Sequence, residues 1–321
     1  MKSVAKCQHE IVYCCINHHK VKSTVPYLLL PILLLCSCKK EHSKNNGPEP
    51  RTYKISYNVS GFTQQIIGSA GHKQVNSLQT NSVTGLAASS DFLYYRLYDY
   101  TTGNMVHQVN QDSSMANFGS VDDYLPAGKY IAAFVAAKPG VAVNTAALSN
   151  GAAIGFLPSQ TSWSDTFFQQ DTLTVSGSDV NQNISLQRIV GQLTIKLLDI
   201  FPAAASKVTI FVSQESNGFS LATATATGTT TLTFNDPVPD ALKTTAGYKR
   251  SFFMMNNTAQ FTVTITCYDA NNGILAQSAI PNVSISRNTQ TILTGNLFAT
   301  GASFNVGLNL PFDPNQITVQ F

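Results

Sequence analysis

Cys38 is the residue of this 321-residue chain best placed to do chemistry. It follows Leu35-Cys36-Ser37 at the end of a 12-residue apolar run, Val25 to Cys36, and the sequence then turns abruptly polar at Lys39-Lys40-Glu41. A thiol is a nucleophile, and the small residue before it leaves a backbone bond open to cleavage. The run is shorter than the ~20 apolar residues that a membrane-spanning helix needs. With Lys20 and Lys22 just upstream, it has the form of the apolar core of a secretion signal, with Pro31 inside the run. The residues before Lys20, with Cys7, Cys14 and Cys15 among them, make an unusually long leader. Translation is therefore expected to start downstream of Met1, near Val21.

Other reactive side chains are sparse. Beyond Cys38 the chain holds three histidines, His42, His72 and His107, and one cysteine, Cys267. It contains no HExxH, no CxxC, no glycine-rich phosphate loop and no nucleophile elbow. A serine triad would need His72 or His107 to meet a serine and a carboxylate, whereas an isolated histidine is more often simply solvated. Asp122-Asp123 has the carboxylates for a metal, but neighbours on a strand project to opposite faces, and such a pair more often marks a polar turn. Trp163 and the aromatic stretch Phe92 to Tyr100 have rings to stack on sugars; the plainer reading puts the strand aromatics in a core. Neither catalytic residues nor a cofactor or metal site is expected, and the chain reads as a non-enzyme.

Charge narrows the partners. Four lysines and one glutamate of the first 38 residues account for the net +3, leaving 16 basic and 16 acidic residues in the remainder. A nucleic-acid binder needs a basic excess to displace counterions from phosphates, so that class is excluded. Charged residues make up only 12% of the chain, about half the usual share, and Thr, Ser, Asn and Gln replace them. That balance suits a β-rich extracytoplasmic protein.

The elements that must position these residues are strands. Residues 38–50 are polar and aperiodic and read as a flexible tether. Tyr53, Ile55, Tyr57 and Val59 alternate with polar residues, which marks a half-buried strand. Phe62 to Ser90 reads as a long loop; Lys73 is the one basic residue between Gly61 and Asp91. A hairpin follows across Thr102-Gly103-Asn104, then a continuous apolar strand, Tyr130 to Ala136, of the kind buried on both faces or in the middle of a sandwich. Pro139 to Leu157 is loop-like, and Phe167 to Val175 gives two short strands. After about residue 188, Leu193, Ile195 and Leu197 point inward and Thr194 and Lys196 outward. Phe261, Val263, Ile265 and Cys267 alternate with threonines, and Phe304 to Leu310 alternates again before a last strand at Ile317 to Phe321. No amphipathic helix is evident, so the chain is expected to be all-β, with sandwiches over 51–187 and 188–321.

Two resemblances refine this reading. Leu35-Cys36-Ser37-Cys38 resembles the lipobox of bacterial lipoproteins, which implies a signal over 1–37, cleavage between Ser37 and Cys38, and a diacylglycerol on the Cys38 thiol. Cys267 would then have no partner for a disulfide. Further along, YKISYNVS, FLYYRLYDYTTGNMV, LPAGKYIAAFVAA, ISLQRIVGQLTIKLLDIFP and VSISRNTQTILTGNLF resemble, in order and spacing, the FimA/FimB fimbrillin-like lipoproteins of Bacteroidetes, the subunits and anchors of type V pili. The resemblance implies two tandem transthyretin-like β-sandwiches, lipid-anchored in the outer membrane at the cell surface and acting in adhesion. It also implies assembly by β-strand addition: a protease removes the first strand, here Tyr53, Ile55, Tyr57 and Val59, and a neighbouring subunit's strand fills the groove. The candidate cleavage site is Lys73, and the absence of arginine around it favours an anchor-like or accessory subunit that keeps its first strand. Other fimbrial subunits are then the partners, with a host or glycan receptor as a further candidate. The alternative is a carbohydrate-binding surface lipoprotein of a nutrient-uptake system.

Overall fold

The computed structural model describes residues 50–62, 85–157, 160–256, 259–299 and 304–311. Cys38, Ser37, Lys73, His42, His72 and the strand expected at Ile317 to Phe321 lie outside them. The N-terminal half supplies the strands β1 (Thr52–Phe62), β2 (Phe92–Asp99), β3 (Met105–Asp112), β4 (Ser120–Pro126), β5 (Gly128–Ala137), β6 (Val141–Val143), β7 (Ala153–Phe156), β8 (Thr166–Val175) and β9 (Val180–Arg188). The C-terminal half supplies β10 (Gly191–Leu197), β11 (Ala205–Glu215), β12 (Gly218–Ser220), β13 (Thr225–Thr227), β14 (Thr230–Pro237), β15 (Tyr248–Met254), β16 (Phe261–Asp269), β17 (Ile274–Val283), β18 (Thr289–Gly295) and β19 (Phe304–Pro311). The described helical segments are short 3-10 turns, Leu86–Ala88, Leu148–Asn150 and Asp240–Lys243. The protein is all-β.

Strands of the N-terminal half follow the order β3-β2-β5-β8-β9-β1-β4. β8 and β9 pair only at Phe167–Arg188 and Phe168–Gln187, so the sheet divides there into two layers, β3-β2-β5-β8 and β9-β1-β4. Both layers feed one core: Ile55, Tyr57, Val121 and Ile184 from the second meet Leu93, Tyr95, Phe134 and Phe167 from the first. In the C-terminal half, β15-β10-β18-β19 faces β14-β11-β16-β17 over a second core of Leu193, Ile195, Val208, Ile210, Val263 and Ile265.

A third core joins the halves. β13-β12-β7-β6 is a sheet with two strands from each half, and Ile154 on β7 pairs with Phe219 on β12. Under it lie Ala133, Val135, Ile154, Trp163, Phe168, Val190, Phe219 and Met255. This explains the continuous apolar run of β5: Ala132, Phe134 and Ala136 face the N-terminal core, and Ala133, Val135 and Ala137 face the joint. Gly191 opens β10 where a Cβ would collide with the Ser286 carbonyl oxygen, so only glycine fits.

Several expectations are corrected. Pro139 to Leu157 is no plain loop: its two short strands, β6 and β7, pair with each other, and β7 takes its other edge from Gly218–Ser220, beyond the reach of any local period. Phe167 to Val175 forms part of one strand, β8, and not two. Thr194 is not solvent-facing. It is fully buried, hydrogen-bonded to Ser251 (2.8 Å) and to the Gln290 amide (3.1 Å).

Candidate functional site

The strand Tyr53 to Ser60 lies in the middle of its layer. β1 runs antiparallel to β4, Tyr53 opposite Leu125 and Tyr57 opposite Val121. On its other side it runs parallel to β9, Ile55 opposite Val180 and Val59 opposite Ile184. Ile55, Tyr57 and Val59 are buried in the core and Tyr53 packs at its rim. The Tyr57 ring sits 4.9 Å from Phe134 and 5.5 Å from Tyr95, centroid to centroid, so β1 carries the centre of an aromatic cluster.

The two ends of the strand order meet at a polar seam. On β4, Asp122 faces solvent and Asp123 faces inward, as strand alternation requires. Asp123 Oδ1 sits 2.9 Å from His107 Nδ1 on β3, and Asp123 Oδ2 accepts the Tyr95 hydroxyl at 3.1 Å. The Tyr124 amide also donates to Asp123 Oδ1 (2.8 Å). Nearby, the Gln111 side chain donates to the Ser120 carbonyl (2.7 Å) and accepts the Gly119 amide (2.9 Å). Burial first, and then the Tyr57 hydroxyl and the Asp123 carboxylate, hold the Tyr95 hydroxyl far above its ordinary value, so it stays a donor. His107 and Asp123 thus form a pair, but the only described groups that engage it are a tyrosine hydroxyl and a backbone amide. The pair clamps β3 to β4 across the seam.

The outer face of β9-β1-β4 is polar. Asn183, Asn58 and Ser120 form one row, and Asn181, Ser56 and Asp122 the next. Ser56 donates to Asp122 (2.6 Å), which also pairs with Lys54 (3.0 Å); these hydrogen bonds hold the Asp122 carboxyl below its ordinary range. The rows line a shallow trough of ≈ 470 Å³. Tyr124, 63% exposed, stands opposite Lys54 at its end.

At the joint, Trp163 is 2% exposed, which removes it as a sugar-stacking residue. It pairs strand-fashion with Phe253, and its indole N–H donates to the Ser216 carbonyl (2.7 Å). Arg188 grips Asp165 through two N–H donors (2.7 and 3.0 Å) and reaches Asn288 with a third (2.9 Å). Of the Phe92 to Tyr100 aromatics, Tyr95 and Tyr98 are fully buried, consistent with a core role. No group of three or more potential metal ligands occurs among the described residues. The features that sequence reasoning missed, the His107–Asp123 clamp and the joint, had no local signal, because each unites residues from distant strands.

No curated protein matches this chain in sequence. Solved structures with similar folds include proteins from Bacteroides and Porphyromonas. A candidate polysaccharide-binding protein from Bacteroides thetaiotaomicron aligns over 76% of this chain and 91% of its own, at 9% identity and a TM-score of 0.53. A candidate adhesin from Bacteroides ovatus aligns over 80% and 92%, at 9% identity and 0.51. The fimbrial anchor protein Mfa2 from Porphyromonas gingivalis aligns over 82% and 100%, again at 9% identity and 0.51. At such identities the likeness is one of fold. A family model matches residues 147–320, more than half of the sequence and all of the C-terminal half's described strands, and this chain belongs to that family, described as a family of unknown function (DUF6562).

Proposed function

We propose that this chain is a fimbrial subunit of the anchor or accessory type, tethered to the outer membrane by a lipid on Cys38, which keeps its own first strand. The observation that carries the reading is the placement of β1. It is central in its layer, bonded on both edges, and buries Ile55, Tyr57 and Val59. Removing such a strand leaves β4 and β9 with unpaired backbone groups facing an apolar groove, the receptor geometry for β-strand addition. Keeping it makes this half a closed unit, suited to a fibre base. The fold likeness to a fimbrial anchor protein supports the same reading. Mass spectrometry of the protein purified from cells tests it: a lipid-bearing Cys38 N-terminus with Tyr53 to Ser60 intact is expected. A mature N-terminus at Gln74 would make the chain a strand-exchanging shaft subunit instead.

The polar trough favours a second reading, a carbohydrate-binding surface lipoprotein. Amides, hydroxyls and an exposed tyrosine, with the one lysine paired to an aspartate, suit a neutral oligosaccharide. Calorimetric titration with neutral oligosaccharides should then give binding that Asn58→Ala and Asn183→Ala weaken. Heats indistinguishable from dilution remove this reading.

A further inference from the structure

A carboxyl group buried without a cation is costly, and the joint between the halves holds one. Glu215 ends β11 and is 0% exposed. Its Oε1 accepts the backbone N–H groups of Met255 (2.7 Å) and Asn256 (3.1 Å), just beyond β15. Its Oε2 is buried with no hydrogen-bond partner among the described residues. The N-terminal half reaches the same spot, since Trp163 bonds to the carbonyl of the next residue, Ser216. The charged groups around the joint are engaged elsewhere. Arg188 is bound to Asp165 and Asn288, Lys138 pairs with Asp91, and Arg287 donates to the Ala224 carbonyl while lying over the Phe219 ring. None of them acts on Glu215, whose carboxyl is governed first by burial and then by the backbone amides of Met255, Ser216 and Asn256 and the Trp163 indole.

We propose that Glu215 makes the joint between the two halves proton-dependent: tight while its carboxyl is neutral, opened to water once it ionises. A neutral carboxyl still accepts the two amides through one oxygen and keeps the other as an uncharged hydroxyl. An ionised one places charge on an oxygen without a hydrogen-bond partner among the described residues, and admitting water between β11, the end of β15 and Trp163 is the remedy. Burial pushes the carboxyl up from its ordinary 4.5 to about 7. The sign follows from linkage. The closed joint has its full advantage below pH 4.5, loses it as the pH rises towards 7, and loses nothing further above that. The inference does not depend on which role the chain plays in a fibre.

Hydrogen exchange of the Met255 and Asn256 amides tests this in the full-length protein from pH 4.5 to 8, with the intrinsic rate divided out. The opening constant should rise by up to roughly two orders of magnitude and level off near pH 7. Trp163, the sole tryptophan, should report ionisation as a fluorescence transition centred near pH 7. Glu215→Gln keeps the shape and an acceptor for both amides but cannot titrate, so both profiles should be flat at unchanged far-UV circular dichroism. A pH-independent opening constant in the unaltered protein overturns the proposal without recourse to any variant. So does the same profile persisting in Glu215→Gln, which would assign the titration to another group such as Asp165.

Discussion

Around β1 the N-terminal core stacks rings from three strands, Tyr57, Tyr95 and Phe134, and its Tyr95 hydroxyl runs out through Asp123 to His107 at the surface. At the same depth the C-terminal core is aliphatic, with Leu193, Ile195, Val208, Ile210, Val263 and Ile265 from its central strands. Its aromatic pairs stand at the margins, such as Phe234–Phe252 between two edge strands and Phe201–Phe298 in the connections. Aliphatic burial is non-directional and tolerates shape-conserving exchange. Ring geometry and a buried hydrogen-bonded carboxylate are directional, and they fail together if one strand is misplaced. The half that holds the candidate exchangeable strand is thus the half whose core checks that strand's register.

The largest effect should come from removing that strand. Deleting residues 52–60 takes three buried side chains from the first core, each worth ~1.5–3 kcal/mol, and leaves two strands unpaired. Limited proteolysis should then degrade the N-terminal half first, while fragments covering β14 to β18 persist. Simultaneous loss of both halves would show that the third core couples them into one cooperative unit and that the contrast between cores is secondary.

Ile195→Ala comes next, at roughly 2–5 kcal/mol by denaturant unfolding. Its neighbour Thr194→Ala should cost about 1–3 kcal/mol, because the buried Gln290 amide and the half-buried Ser251 hydroxyl lose a partner. If Thr194→Ala were neutral, polar burial on that face would carry no stability.

Asp123→Ala should cost about 1–3 kcal/mol, since the buried Tyr95 hydroxyl would be left without its acceptor. His107→Ala should cost no more than about 1 kcal/mol, as His107 is 46% exposed and its side of the pair is solvated. Equal losses from both would mean that the pair, and not the buried hydrogen bond, secures the seam.

The smallest effect concerns reagent access to the second core. Burial pushes the Cys267 thiol up to about 11, so it is protonated at pH 8 as well as shielded. Native protein should show no alkylation at Cys267 over hours, with full labelling in denaturant, as peptide mapping would detect. Rapid native labelling would show that the aliphatic core opens more readily than the aromatic one.

Local pattern was enough for much of this protein. The period of two placed β1, β10 and β16 and the side of each that faces its core, because side-chain direction in a strand depends only on the neighbouring residues. The apolar run of β5 announced its burial, while the neighbouring aspartates, expected at a polar turn, lie on β4, where alternation makes them diverge. Tertiary structure alone decided which strands became neighbours. Val141–Val143 and Ala153–Phe156 are too short to show a period; they pair with each other, and Gly218–Ser220 supplies the second edge of Ala153–Phe156. The same holds for Thr194, buried because a polar row closes over it, for His107, which meets Asp123 across two strand ends, and for Glu215, whose neighbours come from both halves. Alternation says which way a side chain points, and only the packed chain says what it meets there.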